Sequence, residues 1–249
     1  MIVTAALCFW NEQPEELARA VSSVASVADR IVALDGAYRR YPGATDRSSD
    51  AEVEAIRDAA GQMDCLVLQL RRLWAGQVEK RSHLLNAAAL NSDWLLILDA
   101  DYVVSADPDT VRRELAATPF DTLAVPLSTP QGEYATNWHR QQAQGVFMTP
   151  LVFRALPGMR VEDRHWWYSG LKGGTRHWLW EGDARYPVVP HGSLSGYSVQ
   201  HNSALQPHEA QMAARAWYND VDLITRLTGQ EDDVPGLPAP AYDDQRVPF

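Results

Sequence analysis

The chain has 249 residues, 46% of them hydrophobic, enough apolar material for one large α/β domain or a domain with an extension. Its formal net charge of −10 argues against a broad nucleic-acid-binding surface, although Arg39, Arg40 and Arg47 share one loop. No apolar run approaches the roughly 20 residues of a membrane helix, so no membrane partner is expected.

Ile2 to Phe9 reads as a first strand, broken by Asn11 and Glu12. This apolar start lacks the basic residues and the small-residue cleavage site of a signal peptide. The two cysteines, Cys8 and Cys65, lie in predicted strands and have no metal-ligand spacing, which fits buried free thiols. A cytoplasmic location is the expectation. Pro14 opens a helix at its first turn, with Glu15 and Glu16 near the positive end. Leu17, Val21, Val24 and Ala28 then recur at helical spacing. Arg30 to Leu34 is a second strand, ending at Asp35-Gly36. Ser49-Asp50-Ala51-Glu52 forms a capping box for a helix to about Ala60. Cys65 to Leu70 is a third strand, followed by Arg71 and Arg72. Gln77 to Leu90 reads as a helix with Val78, Leu85 and Ala89 on one face. Arg81 borders that face, about 60° from Val78, and Lys80 points the other way.

The stretch Trp94 to Asp101 organises the rest. Its unbroken apolar run reads as a buried strand of a parallel sheet, and it stops at Asp99-Ala100-Asp101. Residues two apart on a strand face the same way, so Asp99 and Asp101 are expected to converge at its carboxyl end. Ligands of open α/β sheets bind there, and two carboxylates suit a divalent cation carrying phosphate oxygens. The bland alternative is that Asp99 ends the strand and Asp101 is solvated.

Asp107-Pro108 opens a helix to about Thr118. Thr122 to Leu127 is a strand, and the regular alternation ends there. Ser128 to Gly145 is loop-like and Val146 to Phe153 strand-like. Glycines and tryptophans then dominate to Trp180, and the cluster Trp166, Trp167, Trp178 and Trp180 offers a stacking wall for a sugar or base. Tyr197 to Gln200 is a short strand ending at His201-Asn202. Pro207 to Leu227 is a long helix, and residues 229–249, with four prolines, form an extended tail. The layout is an α/β domain with a mostly parallel sheet flanked by helices. It divides into a nucleotide-binding half (1–128), an acceptor-side half (129–228) and the tail.

Four pieces then stand in order: Phe9-Trp10-Asn11-Glu12, Asp35-Gly36, Lys80-Arg81-Ser82 and Asp99-Ala100-Asp101. In these the chain resembles the GT-A glycosyltransferases, specifically family-2-like enzymes, over about residues 2 to 128 and more loosely to about 220. The resemblance implies the GT-A nucleotide-diphospho-sugar transferase fold and a UDP- or GDP-linked sugar donor. It places Asn11, Glu12, Asp35, Arg81 and Asp99 on the donor nucleotide, with Asp35 accepting from a base ring N–H. It makes Asp101, Asp99 and His201 ligands of Mn²⁺ or Mg²⁺. Glu162, Asp163 and His165 become an acid–base cluster, with Asp163 favoured as base. Trp166 and Trp167 become the stacking surface for sugar or acceptor.

Asp35-Gly36-Ala37-Tyr38-Arg39 departs from the family's Asp-Gly-Ser-x-Asp, and the Gln-x-x-Arg-Trp motif of processive synthases is absent. A nucleotidyltransferase is the competing enzyme class, yet Trp10 to Pro14 is neither glycine-rich nor basic, as the loop after the first strand usually is in that class. A non-catalytic sugar- or nucleotide-binding module is the third reading, disfavoured by the presence of both Asp99 and Asp101. A glycan, a small molecule, a protein or a modified nucleobase in DNA all remain acceptors compatible with the sequence, the nucleic acid being the less favoured. Oligomeric state leaves no mark in the sequence.

Overall fold

The structure is a computed structural model. It describes residues 1–39, 41, 43–129, 147–163, 167–180 and 189–202, with the backbone alone at 147, 163 and 167. The first hundred residues wind three strand–helix–strand units: β1 (Val3–Cys8), α1 (Pro14–Val24), β2 (Arg30–Leu34), α2 (Asp50–Ala60), β3 (Asp64–Leu68), α3 (Gln77–Ala89) and β4 (Trp94–Asp99). The four strands are parallel and stand in the order β3-β2-β1-β4. Their local chemistry is simple. Pro14 starts α1, which buries Leu17, Ala20, Val21 and Val24. The Ser49–Glu52 capping box starts α2, with Glu52 accepting from the Ser49 N–H at 2.8 Å.

Beyond β4 come β5 (Tyr102–Ala106), α4 (Pro108–Ala117), β6 (Thr122–Ser128), β7 (Phe147–Arg154), β8 (Arg160–Asp163), β9 (Trp167–Lys172), β10 (Thr175–Trp180), β11 (Gly192–Ser193) and β12 (Tyr197–His201). The sheet continues as β4-β7-β6-β12-β5, with β11 also on β6. In it β7 runs antiparallel to β4 and β6, and β5 antiparallel to β12. The molecule is therefore mixed α/β. β5 has no counterpart in the expected elements. Only Ala100 and Asp101 separate β4, in the middle of the sheet, from β5 at its edge. Three peptide steps reach at most about 11 Å, so the sheet curls until its edge meets the end of β4.

The segment rich in glycine and tryptophan folds into a separate antiparallel sheet, β10-β9-β8. It docks on α3, whose Ser82 hydroxyl accepts from the Val161 N–H at 3.0 Å and whose Asn86 amide donates to the Met159 carbonyl at 2.6 Å. The face of α3 turned to β1 and β2 differs from the expected one. Its buried residues are Gln77, Lys80, Leu84, Leu85 and Ala88, so Lys80 points inward. Its ammonium is tolerated there because two main-chain carbonyls receive it. The expected helix 207–227 and the tail 229–249 lie outside the described residues. Among the described residues no helix is long and apolar enough to cross a membrane.

Another anchor of the small sheet is Asp121, just before β6. It accepts from Arg154 Nε at 2.8 Å, Lys172 Nζ at 2.5 Å and His177 Nε2 at 3.1 Å. Burial alone would raise its carboxyl, but hydrogen bonds and charge from Lys172 and Arg154 outweigh burial and hold it below the usual carboxylate range. A depressed folded-state pKa contributes stability that is complete above the unfolded carboxylate pKa, near 4, and lost as pH falls through the folded value. Asp121→Asn is expected to lower stability at pH 7 and to narrow its gap to wild type below pH 4. Urea midpoints across pH 2.5 to 7 check this; a gap independent of pH rejects it.

Candidate active site at the end of the central strands

From β1 the chain builds outward in one direction to β2 and β3 and then returns to place β4 on the other side. The reversal leaves a crevice at the carboxyl ends of β1 and β4, the usual ligand position in open α/β sheets. Cys8 and Asp99 are register partners there. Asp99 ends its strand, and Arg81 Nη2 donates to its Oδ1 at 2.7 Å. The neighbouring Lys80, 3% exposed, donates to the Phe9 carbonyl at 2.9 Å and the Gly36 carbonyl at 2.6 Å. Two consecutive cations of α3 thus hold the ends of β1, β2 and β4.

Asp101 leaves the strand. It sits in the turn to β5, so the expected alternation of Asp99 and Asp101 along one strand does not operate. The turn supplies its own convergence. β12 pairs with β5, placing His201 opposite Tyr102, and His201 Nε2 lies 3.0 Å from Asp101 Oδ2. The Asn202 N–H donates to the Asp101 carbonyl at 2.8 Å. The Tyr102 ring meets the His201 imidazole edge-on at 5.2 Å. Burial alone would lower the imidazole pKa, but the charge and hydrogen bond of Asp101, with Asp99 behind, raise it.

Asn11 turns the chain after β1 at φ 53°, and its N–H donates to the Ser48 hydroxyl at 3.2 Å. Glu12 donates its N–H to Glu52 at 2.9 Å. Its carboxyl is pushed up to about 8 by burial, with the charges of Asp101 and Glu16 adding to the rise. A carboxyl at that value is mostly protonated at neutral pH, which eases the repulsion between Glu12 and Asp101.

Asp35 occupies a different setting from the expected base-reading position. It is 2% exposed, and its carboxylate accepts from the Gly36 N–H, the Ser48 N–H and hydroxyl, and the Gln69 amide at 2.6 to 3.1 Å. Its acceptor capacity is spent inside its own loop, which it ties to the β3 end. Gly36 follows at φ 109°, and a Cβ there would lie 2.8 Å from both the Arg72 carbonyl and the Trp74 indole nitrogen. The Asp-Gly pair thus builds the crevice wall.

Glu162 is held by Arg160 at 2.5 Å, by Arg176 at 3.7 Å and by the Ser169 hydroxyl. Burial pulls its carboxyl up, but the bonds from Arg160 and Ser169 prevail and keep it low. That setting makes a poor general base. Asp163 pairs in register with Trp167, next to Tyr168; the side chains of both are outside the described set. His165 and Trp166 lie outside the described residues. Tyr168, unforeseen in the sequence, comes from β9 to line the same cavity as Arg81, close enough for the guanidinium's charge to act on its hydroxyl. Nothing in its local sequence separates it from the other aromatic residues of that segment.

Among the described residues no three or more side chains form a ready metal cage. The Asp101–His201 pair fits a partial site. Its 3.0 Å separation is close to that of adjacent ligands each about 2.1 Å from an octahedral ion. Carboxylate oxygen with imidazole nitrogen suits Mn²⁺ or Mg²⁺, the other positions falling to phosphate and water.

No family model matches the chain, and no curated protein matches it. Among solved structures it is similar to mannose-1-phosphate geranyltransferase from Thermus thermophilus, at 15% identity and a TM-score of 0.31. That alignment covers 93% of this chain and 66% of the other. A likeness this distant carries no argument about activity.

Lys80→Met is expected to destabilise the protein by about 3 kcal/mol, because two buried carbonyls lose their donor. Urea unfolding measures it, and a loss under about 1 kcal/mol would show the ammonium to be dispensable.

Proposed function

We propose that the protein is a glycosyltransferase that moves a sugar from a nucleoside diphosphate donor, UDP- or GDP-linked, with Mn²⁺ or Mg²⁺. The observation that carries this reading is the placement of Asp99 and Asp101 at the reversal point of the sheet, each with its own partner, Arg81 and His201. A chain that merely ended a strand there would not need a buried cation and an imidazole to hold two successive acids. The motif order that resembles the GT-A enzymes supports the same reading, as does the strand order β3-β2-β1-β4.

In this reading Asp101 and His201 hold the cation beside the donor diphosphate. The cation, when bound, neutralises charge on the leaving group. Arg81, fixed by Asp99 and Tyr168, directs its charge to the same phosphates. Protonated Glu12 spares the crevice one negative charge that would oppose the diphosphate. Asp35 keeps the wall in shape instead of reading the base. For an inverting reaction Asp163 is the base that takes the acceptor's proton. Glu162 serves the small sheet.

The test is hydrolysis of UDP-glucose and GDP-mannose with Mn²⁺, read as nucleotide release. Asp101→Ala and His201→Ala are expected to lower the rate by about 10² to 10³ while the melting temperature holds. Full turnover in EDTA would sink the metal-dependent reading. In a transfer assay, Asp163→Asn is expected to lower kcat by about 10² to 10⁴ and Glu162→Gln to leave kcat near wild type. The reverse pattern would make Glu162 the base.

A further inference from the structure

The large sheet ends on one side at β5 and on the other at β3. The two edges are treated differently. α1 packs on β5, and the Val104 N–H donates to the Ser23 hydroxyl at 3.0 Å. β3 has no strand on its outer side among the described residues. The Asp64 N–H donates to the Asp29 carbonyl and the Leu68 carbonyl accepts from the Asp35 N–H, both on the β2 side. Alternation then turns the N–H and carbonyl of Cys65 and Val67 outward. Proteins usually guard such an edge with proline, lysine or a bulge. β3 reads Asp-Cys-Leu-Val-Leu and pairs with β2 without a register shift, so it carries none of these. One face of this edge is also apolar and bare. Leu68 stands in register with Leu34, Leu34 with Cys8, and Cys8 with Asp99, which meets Arg81 of α3. This is therefore the face that α3 covers. The helix packs on β1 and β2, and Val32 and Leu34 are fully buried. One strand further out, Leu66 is 37% exposed and Leu70 44% exposed.

We propose that this edge binds a second copy of the chain. Two β3 strands, prolonged to Leu70, pair antiparallel about a two-fold axis at Leu68. The strand is self-complementary in that register. Leu68 meets its own copy and Leu66 meets the second copy's Leu70, so the bare face closes as one apolar seam. The outward main-chain groups of Val67 meet those of Gln69, which completes the unpaired ladder. A register shifted by two residues sets Asp64 against Leu70 and loses the match. Charge agrees with the antiparallel sense. Asp64 at the start of the strand and Arg71 just past its end are both exposed. Antiparallel copies therefore set the acidic end of one beside the basic end of the other, twice. That local attraction opposes the repulsion between two chains of net charge −10. The contact uses the same patch on both copies, so it closes at two and leaves no edge for a third.

Sedimentation velocity over a concentration series tests the pairing. Wild type is expected as a reversible dimer of the 27.8 kDa chain. Leu66→Lys combined with Leu70→Lys changes two exposed positions and sets like charges directly opposite each other. It is expected to weaken the dimer at least about tenfold while circular dichroism shows an unchanged fold. Oxidative cross-linking in a Cys65→Ser background reads the register independently. Leu68→Cys falls on the axis as a non-hydrogen-bonded pair, with Cα atoms about 4.5 Å apart, and is expected to form a disulfide between subunits. Leu70→Cys lies about 13 Å along the strand from its own copy and is expected to stay reduced. A wild-type monomer at every concentration overturns the proposal and leaves the edge to another occupant. A dimer that the lysine pair leaves intact uses another face and overturns it as well. Cross-linking through Leu70→Cys in place of Leu68→Cys overturns the proposed pairing.

Discussion

The crevice depends on two consecutive side chains of one helix. Lys80 and Arg81 differ by about 100° around α3, and the helix lies so that one reaches the ends of β1 and β2 and the other the end of β4. Three strand ends are thereby tied to a single rigid element. Parallel strands that open into loops have no hairpin to hold their tips together. Here the tips are held by charge-assisted bonds to carbonyls and to a carboxylate, which are stronger than neutral ones. Losing either cation would also leave the local acids unbalanced.

Those acids are kept apart by environment. Asp99 meets a guanidinium, Asp101 an imidazole, and Asp35 neutral donors from its own loop and from Gln69 after β3. Glu12, with Asp101 and Glu16 around it, keeps its proton instead. Four carboxyl groups near one sheet end therefore take up four electrostatic states. Of the four, Asp101 combines negative charge with a second metal-type donor within reach, which is why the cation is assigned to it. The small sheet stiffens this arrangement from outside, through Ser82 to the helix and Tyr168 to the guanidinium.

Much of the first half was legible in the sequence because each element there is locally specified. Pro14 and the Ser49 capping box start helices, and unbroken apolar runs make the buried strands. Asp99 and Arg81, placed together on the donor side from the sequence, meet directly in the fold. The inward turn of Lys80 was hidden because a helix face is read from apolar residues, and here the inward face includes Gln77 and Lys80. What satisfies that ammonium are carbonyls 71 and 44 residues away, which no local pattern reports. Asp35 looked available for a ligand because its partners are not sequence neighbours: Ser48 stands 13 residues on in the same loop, and Gln69 follows β3. β5 and the small sheet escaped for a related reason. Their pairing partners are distant or lie in short strands interrupted by bulges, so alternation is too brief to register.

The curl of the sheet sets an order of assembly. Every strand of the β3-β2-β1-β4 core lies within the first hundred residues, and its crossovers are short. The contact between Asp101 and His201 closes a loop of a hundred residues, and it forms only when β12 has been laid between β6 and β5. Loop closure over that distance is entropically late, and the edge pair β12–β5 has fewer neighbours to hold it than the strands inside. The crevice is thus shaped early and armed last. On partial opening the same edge goes first, so the protein loses its Asp101–His201 pair while most of its hydrogen-bonded core still stands.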